Sequence, residues 1–133
     1  MTPEEKARRL REGFDAFKRQ DMAKMSEIIA ADVKWHEQPG WKLGGDYNGR
    51  DDVFNRLFAS VPQYWDEFGF EIHDVLSNGE HTVALANWRG KSKLTGKTYE
   101  DHVVLTAHID DQGVVRESWS AWNTHQLQEA VGG

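Results

Sequence analysis

Three turn signals divide the second half of this chain, and they constrain its fold more than any other feature. Ser77-Asn78-Gly79-Glu80 contains Asn-Gly, the strongest short hairpin signal. Thr95-Gly96-Lys97 and Asp110-Asp111-Gln112-Gly113 follow at strand-length intervals. The segments between them suit strands. Phe68, Phe70 and Ile72 alternate with polar neighbours, and residues 82–89, 98–109 and 114–123 read as the strands that follow. Four strands joined by short turns form an antiparallel meander. Val83-Ala84-Leu85-Ala86 is apolar on both faces, which places its strand inside the sheet.

The first half reads differently. Thr2-Pro3-Glu4-Glu5 is a helix start, with Thr2 as cap, Pro3 at the first helical position and Glu5 completing a capping box. Ala7, Leu10, Phe14 and Phe17 then recur at helical spacing. Lys6, Arg8, Arg9, Arg11 and Lys18 fall opposite, a face expected in solvent. Asp21 caps a shorter helix carrying Met25, Ile28 and Ile29. Val33 to Gln38 is the first strand. Residues 39–49 read as a long loop holding Trp41, Leu43 and Tyr47, folded over something apolar. A third helix opens at Arg50-Asp51-Asp52, buries Val53, Phe54, Leu57, Phe58 and Val61, and ends or kinks at Pro62. Tyr64 and Trp65 follow in a turn. Residues 124–133 read as a C-terminal tail. The order is α-α-β-α-β-β-β-β in a single domain spanning 1–133. That is an α+β fold, an antiparallel sheet with three helices from the N-terminal half on one side.

Charge and composition exclude several roles. A net charge of −6 with interspersed signs argues against nucleic acid as the partner. The chain has no cysteine, hence no disulfide, thiolate nucleophile or cysteine metal site. Met1 leads directly into a charged helix, and no run of about 18 apolar residues occurs, so neither a signal peptide nor a membrane span is expected. The expectation is a cytoplasmic protein.

Four patches carry a family resemblance. They are Phe14-Asp15-Ala16-Phe17 leading to Asp21; Ala31-Asp32-Val33-Lys34-Trp35-His36-Glu37 followed by Pro39-Gly40; Asn48-Gly49-Arg50-Asp51-Asp52-Val53; and Gly113-Val114-Val115 through Trp119-Ser120-Ala121-Trp122-Asn123. In this order and spacing the chain resembles the SnoaL-like branch of the nuclear transport factor 2 superfamily, the cone fold of ketosteroid isomerase. The resemblance implies a curved sheet around a deep apolar cavity, and a homodimer through the outer sheet face. It implies a small apolar or aromatic ligand, and chemistry of the isomerase, cyclase or hydrolase type, or else binding or dimerisation without catalysis. Two positions depart from the isomerase pattern. Gln38 stands before Pro39 where an aspartate is usual, and the last strand ends in Asn123 where it often ends in aspartate.

Strand parity narrows the candidate site. Neighbours on a strand face opposite ways. If Val33 and Trp35 face the core, Glu37 does too and His36 points out. Glu37 then lies, by resemblance, near the isomerase's base position, where an apolar pocket raises a carboxyl pKa toward the range of general bases. His36 is the second choice. His102 falls, by resemblance, where the isomerase keeps an oxyanion-stabilising aspartate; Asp101 is the alternative, and a bulge would exchange them. Trp35, Trp41, Tyr47, Phe58, Trp88, Ser120 and Trp122 are the expected ligand contacts. Trp41 and Tyr47 are candidates for a lid, and Tyr47 can also donate a hydrogen bond. Trp122 and Ser120 are placed inward by resemblance, with Trp119 on the outer face. Arg89 and Lys91, near one strand end, suit an acidic ligand or solvent. No metal is expected, since His102 and His108 would lie about 20 Å apart on one strand and no His/Glu ligand motif occurs. His73, His81, His108 and His125 read as surface. No cofactor is expected.

Overall fold

The computed structural model describes residues 1–132; Gly133, the end of the expected tail, lies outside the described residues. Helix α1 (Pro3–Arg19) starts as the sequence prescribes. Thr2 Oγ1 accepts the Glu5 N–H at 3.1 Å, and Glu5 Oε1 accepts the Thr2 N–H at 3.0 Å. Its polar face is not wholly in solvent, which corrects the expectation for two residues. Lys6 is buried and donates from Nζ to the Gly79 carbonyl at 2.8 Å, and Arg9 Nε donates to the Gly113 carbonyl at 2.8 Å. Both cations thus tie α1 to turns of the meander, their stems covering apolar surface.

Helix α2 (Met22–Ile28), capped by Asp21, runs directly into strand β1 (Ile29–Glu37). Helix α3, residues 50–64, is irregular. It is α over Arg50–Asp52, π over Val53–Leu57, 3-10 over Phe58–Ser60 and α again over Val61–Tyr64. Gly49, at φ +91°, makes the sharp turn into it. Arg50 Nη1 then reaches back to the carbonyls of Ser26 at 2.8 Å and Ile29 at 3.0 Å, satisfying the open end of α2.

Strands β3 (Trp65–Ser77), β4 (Thr82–Ser92), β5 (Thr98–Ile109) and β6 (Val115–Ala121) form the expected meander. Three features differ from the sequence expectation. Part of the loop at 39–49 is a strand, β2 (Gly45–Asn48), antiparallel to β1. The sheet order is β2-β1-β6-β5-β4-β3, and β1 runs parallel to β6, so the sheet is mixed rather than antiparallel. A parallel pair needs a long crossover, and the whole chain between β1 and β6 supplies one. Residues 124–131, expected as a tail, form helix α4 (Thr124–Val131), which buries Leu127, Ala130 and Val131. Asn123 caps it, its Oδ1 accepting the Gln126 N–H at 3.1 Å.

Register shifts in β1, in β3 at two places, and between β5 and β6 bend the sheet. The result is an α+β fold with four helices and a curved, unclosed six-stranded sheet. Its concave face carries the core. No described helix is long and apolar enough to cross a membrane.

The docking of α4 is testable. Leu127 is 1 % exposed, so Leu127→Ala should lower the unfolding free energy by about 2–5 kcal/mol in urea denaturation. An undocked tail would give no change.

Candidate functional site

The curved sheet, α1, α2, α3 and α4 together line an apolar cavity of about 140 Å³. An apolar cavity of about 150 Å³ holds a benzene-sized guest. The walls are largely aromatic. Phe17, Trp35, Phe58, Trp65, Trp88 and Trp122 all line it. Trp88 stacks on Phe70 with centroids 5.0 Å apart and meets Trp122 edge-on at 5.1 Å. Phe58 meets Trp35 edge-on at 5.7 Å and Phe17 at 5.0 Å. Such edge-to-face and offset pairs are each worth about 0.5–1.5 kcal/mol beyond their area burial. Gly90 permits Trp65 to take its place, because a Cβ there would lie 2.7 Å from the indole.

Glu37 is the only ionisable side chain on this wall among the described residues. The parity argument places it correctly, since Val33 and Glu37 are buried while His36 faces out. Trp35 Nε1 donates to Glu37 Oε1 at 2.9 Å, and Ser120 Oγ donates to Oε2 at 3.0 Å. The Gln38 N–H in turn donates to Ser120 Oγ at 3.3 Å. Burial raises the Glu37 pKa above its ordinary 4.5, and the donors from Trp35, Ser120 and Trp122 oppose this without cancelling it. Trp122 also stabilises the carboxylate, although its Nε1–H lies outside good hydrogen-bond geometry. The Trp41 Nε1–H is also buried without a partner.

The remaining expected residues divide. Trp35, Trp41, Phe58, Trp88 and Trp122 line the cavity, and Ser120 reaches it through Glu37. Tyr47 is buried but does not line it. Its hydroxyl donates to the Leu43 carbonyl at 2.7 Å and its ring lies under the Arg56 guanidinium. It is therefore a brace for the loop, which brings Leu43 and Trp41 to the cavity instead. His102 is exposed, against His73 at 5.4 Å, because the odd-numbered residues of β5 take the concave side. Asp101 has the inward parity, but its carboxylate accepts from the Tyr99 hydroxyl and from the Asn123 N–H at 2.6 Å, anchoring the start of α4. Neither member of the pair lines the cavity. Gln38, at the position of the isomerase's aspartate, accepts the Trp122 N–H and so ties β1 to the end of β6. Ser118 and Trp65 also line the cavity. Ser118 shares the inward parity of Ser120, a signal available in the sequence; Trp65, read as part of a turn, is the first residue of β3. Of the residues read as surface, His108 is half-buried, its ring edge-on to His81 and Trp119 at 4.8 and 4.9 Å.

His36 sits on the convex face, where it bridges strands. Its Nδ1 lies 2.8 Å from Asp46 Oδ1 and its Nε2 2.7 Å from Glu117 Oε2. The ring stacks on Trp119 at 5.4 Å. Hydrogen bonding to Asp46, then to Glu117, raises its pKa above 6.5. Among the described residues no three His, Asp or Glu side chains are grouped to hold a metal ion.

Residues 10–118 match the model of the SnoaL-like domain. The fold is similar to that of an NTF2-like protein from Burkholderia thailandensis, with TM-score 0.88 and 22 % identity over 100 % of this chain and 99 % of that one. It is also similar to TerC co-crystallised with polyporic acid (TM-score 0.83, 18 % identity, 96 % and 98 % covered). IdmH, a candidate polyketide cyclase from Streptomyces antibioticus, is similar at TM-score 0.77 and 17 % identity over 96 % and 99 %. No curated protein matches the sequence.

Two pH-dependent steps follow from these carboxyl and imidazole environments. Both groups have folded pKa values above their unfolded ones, so the folded state binds more protons and stability falls as pH rises. The Glu37 step begins near 4.5 and the His36 step near 6.5, each ending above its raised folded value. In pH-resolved denaturation, Glu37→Gln should remove the lower step and His36→Gln the upper one. Unchanged slopes in the variants would count against these assignments.

Proposed function

The chain belongs to the SnoaL-like domain family, and we propose that it binds a small, largely apolar cyclic carbonyl compound in the cavity and moves a proton beside the carbonyl, with Glu37 as base. The observation that carries this reading is a single carboxyl group on an otherwise apolar, aromatic wall. Its raised pKa brings it toward the operating range of a general base. Trp35 and Ser120 hold both of its oxygens, which fixes its orientation before a ligand arrives. In the proposed step Glu37 takes a proton from the carbon next to the carbonyl. The C–H electron pair moves into the enolate, and the carboxylic acid then returns the proton to the same or a conjugated carbon. The polyporic acid bound to TerC and the candidate cyclase role of IdmH support a ligand of this kind.

The test uses cyclohexanone, a ketone near the benzene size the cavity admits, with exchangeable protons beside its carbonyl. In D₂O the protein should accelerate deuterium incorporation, and Glu37→Gln should cut the protein-dependent rate by about 100-fold or more. Binding of cyclohexanone without accelerated exchange would favour a non-catalytic binding protein.

The convex face supports a second proposal, a homodimer through the sheet. Leu76 is 54 % exposed there, and Trp119, flanked by His36 and His108, presents a broad aromatic surface. Trp119→Lys should convert a dimer to a folded monomer in light scattering with circular dichroism. An unchanged mass would remove Trp119 from any interface.

A further inference from the structure

We propose that His36 is a proton-operated latch on the cavity wall. Protonated, it holds edge strand β2 and the adjoining loop 40–44 in place; neutral, it keeps Glu117, releases Asp46 and lets that segment loosen. The inference uses the cavity only as the space this segment walls, and needs no chemistry at Glu37.

The cluster lies on the convex face and takes one group from each of three strands. His36 on β1 stands with Nδ1 2.8 Å from Asp46 on β2 and Nε2 2.7 Å from Glu117 on β6. An ionised carboxylate only accepts, and an imidazole has two N–H donors only when protonated. The protonated ring therefore serves both partners. The neutral ring serves one and turns a lone pair toward the other. The other charged groups nearby leave this choice in place. Lys34 on β1 and His108 on β5 both stand opposite Glu117 in register. Arg56 of α3 reaches the Asp46 carbonyl at 3.4 Å, and Trp119, stacked on the ring, brings no charge. Exposure decides which contact is lost. The Glu117 side chain is 29 % exposed and the Asp46 side chain 71 %. A charge-assisted bond is stronger where water is scarcer, and Asp46 can exchange its partner for water at little cost.

Loss of that contact reaches the cavity through the chain. Strand β2 has four residues and lies at the sheet edge, paired with β1 alone. The segment that contains it runs between Gly40 at φ +114° and Gly49 at φ +91°, backbone settings suited to glycine. Next to Asp46, Tyr47 donates its hydroxyl to the Leu43 carbonyl at 2.7 Å, which couples strand to loop. Leu43 and Trp41 are cavity wall. The segment is thus held below the His36 titration and looser above it, where the cavity exchanges with solvent more freely.

Amide hydrogen exchange read by NMR tests this, since it measures local opening, and the His36 ring resonances report its protonation. Each rate is compared with the intrinsic rate at the same pH. As His36 loses its proton, protection should fall roughly twofold to fivefold at the β2 amides and at the Gly44 N–H, which donates to the Trp41 carbonyl. The fall should share its midpoint with the ring, and protection in β4 should stay level. In Asp46→Asn the side-chain amide can accept from the protonated ring and donate to the neutral one, so the fall should vanish. Level β2 protection through the titration would overturn the proposal, as would a fall that persists in Asp46→Asn. Loosening at β6 in place of β2 would mean that Glu117 is the partner released, and would overturn it too. None of these results bears on Glu37, which the ketone exchange above tests separately.

Discussion

The parallel pairing of β1 with β6 places Trp35 opposite Ser118 and His36 opposite Trp119, and the chemistry on both faces of the sheet depends on that register. On the concave side it sets Glu37 within reach of Ser120. On the convex side it sets His36 between Asp46 and Glu117. Because side chains alternate, a slip of one residue would exchange the two faces and put the imidazole into the apolar cavity. The pairing joins residues more than 80 positions apart, so it carries the loop-closure cost of a long-range contact.

Within that frame, Glu37 is a balance of opposing terms. Desolvation of a carboxylate costs several kcal/mol even after relaxation. Hydrogen bonds to a charged group return about 1.5–3 kcal/mol each. Two well-formed donors and one poorly placed one therefore reduce the penalty without removing it, which accounts for the raised pKa. The site resembles functional sites generally in accepting a local cost to stability. The Trp35 and Ser120 donors keep the carboxyl oriented. The His36 bridge on the other side clamps β2 and β6 to β1 and so holds the same strand from behind.

The helices close what the sheet leaves open. Lys6 and Arg9 fasten α1 to two turns of the meander through carbonyl contacts, and Arg50 fastens the end of α2 to the start of α3. The π turn within α3 adds a residue to the helical repeat just before Phe58, and π turns recur at functional sites. Helix α4 closes a further part of the wall with Leu127.

Local rules were enough for much of this. The capping box at Thr2, the meander turns, the burial of β4 and the inward parity of Val33, Trp35 and Glu37 all follow from spacing and side-chain type, because each is decided by neighbours in the chain. The parity of Ser120 and Trp122 came with the family resemblance and agrees with the structure. Other features required the fold. Nothing near Lys6 or Arg9 announces that carbonyls of Gly79 and Gly113 will meet them. A short strand at residues 45–48 is defined by its pairing with β1, and α4 by the apolar surface that receives it. Asp101 was taken from the cavity by Tyr99 and Asn123, and Tyr47 was claimed by Leu43 and Arg56. The sequence by itself determined which side chains share a face, since alternation is a property of the strand. Tertiary structure alone decided which face lines a cavity and which donors meet the Glu37 carboxylate, since both depend on partners brought together from distant parts of the chain.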